Sequence, residues 1–180
     1  MGLLDESGLD RLVHTGCPAC GGRKLTFRTY VDGAFPFIAG EPVGRASWAY
    51  DGEKFVDGVY AVACAGCGAN VFTADVCPRC HAPGGLATAL ASENRWPVPG
   101  GCADADCGGE EVRYLAFVPV SVSYEGERAD RPRSAVEPHD PGFHGYRAVC
   151  RACGQVVAAL SDGDGCPLCA GPGPLRARPG

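Results

Sequence analysis

The chain has 180 residues, with 27 glycines, 15 prolines, 12 cysteines and a single methionine, a composition that speaks against a large close-packed core. Its formal charge is −5, from 16 Lys and Arg against 21 Asp and Glu, so there is no net attraction to a phosphate backbone. No apolar run approaches the length of a bilayer-spanning helix. The start, Met1-Gly-Leu-Leu-Asp-Glu-Ser-Gly-Leu-Asp, lacks the basic head and apolar stretch of a secretory signal. A cytoplasmic, reducing location is therefore the expectation, and there close cysteine pairs read as metal ligands rather than disulfides.

Along the chain, residues 3–13 and 86–91 are the short helical candidates. Residues 24–31 alternate, with Leu25, Phe27, Thr29 and Val31 sharing one face of a strand. Residues 47–62 read as short strands broken by the hairpin turns Asp51-Gly52 and Asp57-Gly58. After 86–91, the stretch Ser-Glu-Asn-Arg-Trp-Pro-Val-Pro-Gly at 92–100 reads as a linker, with Trp96 its one large apolar residue. Residues 112–122 alternate again, through Val112, Tyr114, Ala116, Val118, Val120 and Val122, and Pro119 favours an edge position for this strand. The polar segment 125–145, with Arg128, Arg131, Arg133, His139 and His144, reads as a surface loop.

The twelve cysteines form close pairs: Cys17/Cys20, Cys64/Cys67, Cys77/Cys80, Cys102/Cys107, Cys150/Cys153 and Cys166/Cys169. Five are CxxC and one has four residues between its thiols. Such a turn brings two thiolates to one side, and two turns make the closed tetrahedral shell of structural zinc. The spacing repeats. Cys20-Gly21-Gly22 and Cys107-Gly108-Gly109 open segments that reach the next knuckle after 44 and 43 positions. Tyr60 and Tyr146 lie four residues before Cys64 and Cys150, while Gly68 and Gly154 follow Cys67 and Cys153. The third pair is CPxC in both halves, followed by Pro83, Gly84 and Leu86 at the offsets of Pro172, Gly173 and Leu175. The chain thus reads as two tandem copies of one unit, matching over 16–86 and 101–175. The organisation expected is an N-terminal segment 1–15, repeat 16–91, linker 92–100, repeat 101–175 and tail 176–180.

Three pairs per copy close one four-thiolate site and leave one pair over, so the two leftover pairs are expected to meet in a third site between the copies. The segments separating Cys67 from Cys77 and Cys153 from Cys166 are short, nine and twelve residues. Loop-closure entropy favours joining across them. The preferred groups are then Cys64, Cys67, Cys77 and Cys80; Cys150, Cys153, Cys166 and Cys169; and a central Cys17, Cys20, Cys102 and Cys107. The other symmetric choice joins the first and second pairs of each copy and shares the two CPxC pairs.

Tyr146-Arg-Ala-Val-Cys-Arg-Ala-Cys-Gly followed by Cys166-Pro-Leu-Cys169, and Tyr60-Ala-Val-Ala-Cys-Ala-Gly-Cys-Gly followed by Cys77-Pro-Arg-Cys80, resemble the knuckles of zinc ribbons and rubredoxin-like domains. The resemblance covers about twenty residues per copy and implies a metal-knuckle fold, not one function. His81 and Ala170 depart from it, standing where many such knuckles carry glycine, and they count against electron transfer more than against zinc. The fold class expected is mostly β, small and metal-stapled, in two pseudo-symmetric zinc-ribbon-like repeats. Three Zn2+ ions are expected, with Fe as the alternative.

The sequence contains no HExxH, deaminase, Walker, dinucleotide or GxSxG pattern. His14 and His81 adjoin knuckles, yet the even cysteine count leaves them no necessary place among the ligands. Cys17, Cys77 and Cys166 each begin a CPxC tetrapeptide, but outside the strand-to-helix setting of thiol oxidoreductases. The function expected is a non-enzymatic zinc scaffold for a protein partner, with no membrane. Nucleic-acid binding and rubredoxin-like electron transfer are the competing readings, the former opposed by the acidic balance.

Overall fold

The computed structural model describes residues 2–44, 47–48, 58–91, 100–131, 133, 144–160 and 165–171. Outside them lie the Asp51-Gly52 turn, Asp57, the linker from 92 to 99 with Trp96, most of the 125–145 loop with His139, and the 176–180 tail.

Helix α1 (Glu6–Thr15) starts where the Asp5 carboxylate accepts from the Gly8 N–H at 2.9 Å. It stops at Gly16, whose φ of 74° turns the chain into the first knuckle. Its apolar stripe, Leu9, Leu12 and Val13, packs on Leu25, Phe27, Val59, Val62 and Val122.

The sheet follows from apolar alternation. In β1 (Lys24–Ile38) the odd-numbered residues are buried, among them Leu25, Phe27, Val31, Phe35 and Phe37. The strand is twice as long as the 24–31 alternation alone suggests. Short hairpin strands β2 (Glu41–Pro42) and β3 (Ser47–Trp48) fold back on its second half. β4 (Ala61–Cys64) pairs with its first half, β5 (Asn70–Thr73) pairs with β4, and α2 (Gly85–Ala91) follows. In β6 (Glu111–Glu125) the even-numbered residues Val112 to Val122 are buried, together with Phe117 on the opposite face. β7 (Arg128–Ala129), β8 (His144–Cys150) and β9 (Val156–Ala159) complete one antiparallel sheet of order β5-β4-β1-β6-β8-β9, with β2, β3 and β7 paired off this path.

β1 and β6 pair along all fifteen residues, from Lys24↔Glu125 through Val31↔Val118 to Ile38↔Glu111. This register sets Phe27 opposite Val122, Phe35 opposite Tyr114 and Phe37 opposite Val112 on one buried face. Each such side chain contributes about 1.5–3 kcal/mol by leaving water. The segments 16–91 and 101–175 are therefore parts of one continuous sheet. Pro119 is not on an edge strand, since β6 lies between β1 and β8. It sits past the last β8 pair, Phe117↔His144, and before the Ser121↔Arg133 bridge, where no described ladder partner stands on that side.

Candidate metal centres

The described residues contain three groups of cysteines able to hold a metal: Cys17, Cys20, Cys64 and Cys67; Cys102, Cys107, Cys150 and Cys153; and Cys77, Cys80, Cys166 and Cys169. The first two are termed lateral and the third bridging, because it joins the two halves of the chain. All twelve cysteines are used, and in each group the four sulfurs lie within 4.8 Å of one another. Between facing turns the sulfur separations are 3.8 Å for Cys17–Cys67, 3.6 Å for Cys20–Cys64, 3.6 Å for Cys102–Cys153 and 3.7 Å for Cys107–Cys150. In the bridging group they are 3.9 Å for Cys77–Cys166 and 3.5 Å for Cys80–Cys169. A tetrahedron with metal–sulfur bonds of about 2.3 Å has edges of about 3.8 Å. The thiols are free, and these separations far exceed a disulfide bond of about 2.05 Å.

This grouping corrects the preferred assignment. Cys64/Cys67 does not close on Cys77/Cys80, nor Cys150/Cys153 on Cys166/Cys169, and Cys17/Cys20 does not meet Cys102/Cys107. Sheet pairing decides it. β4 returns beside β1 with Cys64 opposite Leu25, and β8 returns beside β6 with Cys150 opposite Val112. Each returning knuckle thereby faces the knuckle that precedes its neighbour strand. The entropy advantage of the shorter loops is only about 0.6 kcal/mol per doubling of length, about 1 kcal/mol here, and ladder formation outweighs it.

The five CxxC turns share one backbone pattern. The first cysteine donates its N–H to the carbonyl five residues on, as Cys64 does to Ala69 at 2.9 Å, and accepts from the N–H four residues on, as from Gly68 at 2.9 Å. That fourth residue has positive φ throughout: Gly21, Gly68 and Gly154 at 69–74°, His81 at 62° and Ala170 at 55°. Backbone N–H groups of Gly22, Arg79 and Gly171 also donate to the sulfurs of Cys20, Cys77 and Cys169, each at 3.4 Å. The longer 102–107 turn is shaped instead by Asp104, whose carboxylate accepts from the Asp106 N–H at 2.9 Å.

The three groups differ in environment. Cys20, Cys67 and Cys153 are exposed, whereas Cys77, Cys166 and Cys169 are buried and Cys80 half-buried. The bridging group lies against Phe117, Leu168 and Ala89, with Tyr30, Ala82 and Tyr146 around it. Helix α2 approaches closely, since a Cβ on Gly85 would stand 2.7 Å from the Cys77 Cβ and 3.3 Å from the Cys169 sulfur.

Four clustered thiols cannot all ionise without a cation. The Cys77–Cys166 hydrogen bond pushes the Cys77 thiol up, while the same bond brings Cys166 down to about 5. In the lateral groups, backbone N–H groups led by Cys67 and Cys153 lower Cys64 and Cys150 to about 7. A bound divalent cation favours the fully ionised shell.

Beside the bridging group is a polar network that the cysteine pattern does not reveal. The Arg79 guanidinium lies 4.4 Å over the Phe117 ring and 3.9 Å from Asp32, whose carboxylate accepts from the Tyr146 hydroxyl at 3.3 Å. Tyr30 stacks on Tyr60 at 5.3 Å and Phe117 on Tyr146 at 4.6 Å. Buried His144 stands edge-on to Tyr30, with no hydrogen-bond partner at Nε2. His14 faces Glu127 at 3.6 Å, and neither it nor His81 belongs to a metal-binding group.

No known protein family, characterised protein or solved structure matches the chain. No helix among the described residues is long and apolar enough to cross a membrane.

Proposed function

We propose that this chain is a non-enzymatic zinc protein, with three structural zinc ions and a folded body that serves as a scaffold for a protein partner in a reducing compartment. The observation that carries the reading is the division of all twelve thiols into three groups of four, spaced like the edges of a metal–thiolate tetrahedron. A closed four-sulfur shell leaves no position for water or substrate, so the metal holds chain segments together rather than activating a ligand. The knuckle resemblance and the positive-φ residue after each turn support the same reading.

We also read the chain as a tandem duplication. In support, the strand order reads alike from either end in terms of the two copies, since β5, β4 and β1 correspond to β9, β8 and β6. The β1–β6 ladder is centred on Val31↔Val118 and runs seven residues to either side. The β2 hairpin, Phe37↔Pro42 and Ile38↔Glu41, has its counterpart in Tyr124↔Ala129 and Glu125↔Arg128. The stacked pairs Tyr30–Tyr60 and Phe117–Tyr146 occupy corresponding places. Cys77 to Cys166 and Cys80 to Cys169 are both 89 positions apart, as equivalent ligands across a two-fold axis would be.

Native mass spectrometry with elemental analysis on freshly purified protein tests the metal assignment. Three zincs per chain are expected. Iron, with the red colour of an iron–tetrathiolate, would replace this reading by electron transfer, and fewer than three metals would reject it. Affinity capture with the zinc-loaded chain then tests the scaffold role, for which a stoichiometric protein partner is expected.

A further inference from the structure

Three chemically equal groups in one chain differ in how a small solute can reach them. Cys20 and Cys67 in one lateral group and Cys153 in the other are exposed, and Cys102 and Cys107 are half-exposed. In the bridging group Cys77, Cys166 and Cys169 are 0%, 1% and 4% exposed against Phe117 and Leu168, and only Cys80 is half-exposed. Oxidation of thiolates follows access to the sulfur. The geometry points to a division of labour that rests on the zinc reading above. The two lateral groups are peroxide-responsive sites that release zinc and close as disulfides, while the bridging group keeps its metal.

The step balances within each lateral group. Two thiolates give two electrons to one hydrogen peroxide, an S–S bond forms, the O–O bond breaks, and two protons complete two waters. A second peroxide oxidises the other two thiolates, and zinc leaves as the divalent cation. The framework favours closure. Cys17–Cys67 and Cys20–Cys64 sulfurs already stand 3.8 and 3.6 Å apart, and the counterparts in the second group 3.6 and 3.7 Å. The Leu25↔Cys64 and Val112↔Cys150 ladder positions hold the returning knuckles in place as the metal departs. A disulfide staple thus succeeds the metal staple at each end of the sheet.

The test begins with protein shown by native mass spectrometry to carry three zincs, so that a failure of the zinc reading appears before any oxidant is added. Hydrogen peroxide is then titrated in the presence of a zinc-binding dye. Two zincs per chain should be released and one retained, with new disulfides mapping to Cys17, Cys20, Cys64 and Cys67 and to Cys102, Cys107, Cys150 and Cys153. Dithiothreitol and zinc should restore three metals. Iodoacetamide on the metal-loaded chain supplies a second readout, with Cys20, Cys67 and Cys153 labelled at least tenfold faster than Cys77 and Cys166. Simultaneous loss of all three metals, earlier loss of the bridging one, no release, or uniform labelling would overturn the proposal.

Discussion

At each knuckle a residue with positive φ follows the second cysteine, and only at the bridging group is it not glycine. A Cβ in that backbone region costs about 1 kcal/mol or more. Around Gly68 and Gly154 the space is open, so conformation alone sets the penalty there. Gly68→Ala and Gly154→Ala should each lower stability by about 1 kcal/mol, and Ala170→Gly should raise it by somewhat less, read as shifts in urea midpoint of the zinc-loaded chain. His144 gives a pH-dependent prediction. Burial lowers its pKa to about 4 from 6.5. Between those values the unfolded chain binds a proton that the folded chain does not, so stability falls as pH drops through that window and levels off below it. His144→Phe should remove this component. Relative to wild type it should gain about 1–2 kcal/mol between pH 7 and pH 5, measured by denaturation at each pH with zinc present. Among single residues, the twelve cysteines that gather into groups able to hold a metal were legible as candidates, because cysteine pairs in knuckle spacing carry their chemistry locally. Asp32, Arg79 and Tyr146 were not, since Tyr146 reaches Asp32 across 114 positions that no short pattern spans.

Among the elements, the long paired strands β1 and β6 organise the rest. Alternation made the first half of β1 and most of β6 readable, but the structure continues β1 past Val31 through Gly33 and Pro36. At Gly33 a Cβ would stand 2.7 Å from the Val118 side chain, and Pro36 pairs opposite Arg113 at a position the ladder tolerates. The pairing of knuckles was open in the sequence for a related reason. Loop length separates the choices by only about 1 kcal/mol per copy, whereas the return of β4 along β1 is a tertiary event. Phe27 is fully buried opposite Val122, edge-on to Tyr124 and beneath the apolar stripe of α1. Phe27→Ala should therefore cost about 3–5 kcal/mol while leaving three zincs bound to the folded fraction, a pairing of results that calorimetry and native mass spectrometry check together.

In the molecule as a whole, two devices hold the halves together on opposite sides of one sheet. One side has the buried apolar face of β1 and β6; the other has the bridging thiols seated on Phe117 and Tyr30. The apolar face runs along a ladder of fifteen residue pairs, of which alternate ones point into it, while the metal would concentrate its contribution at one point. Structural zinc supplies on the order of 10 kcal/mol in small peptides that fold only with metal. Here the β1–β6 ladder also joins the halves, so only part of that is at stake. The full chain with Cys77→Ser and Cys80→Ser should bind two zincs at the lateral groups and keep the strand signature in circular dichroism. Its melting temperature should nevertheless fall by about 8–16 °C, the shift for a loss of about 4 kcal/mol in a chain of this size. An unchanged melting temperature would mean that the β1–β6 ladder alone fixes the halves. Loss of all three metals would mean that the lateral knuckles cannot form without the bridge. The two-zinc, lower-melting outcome is the one expected, because each lateral group is built on a strand pair, β1 with β4 or β6 with β8, that contains none of the bridging ligands.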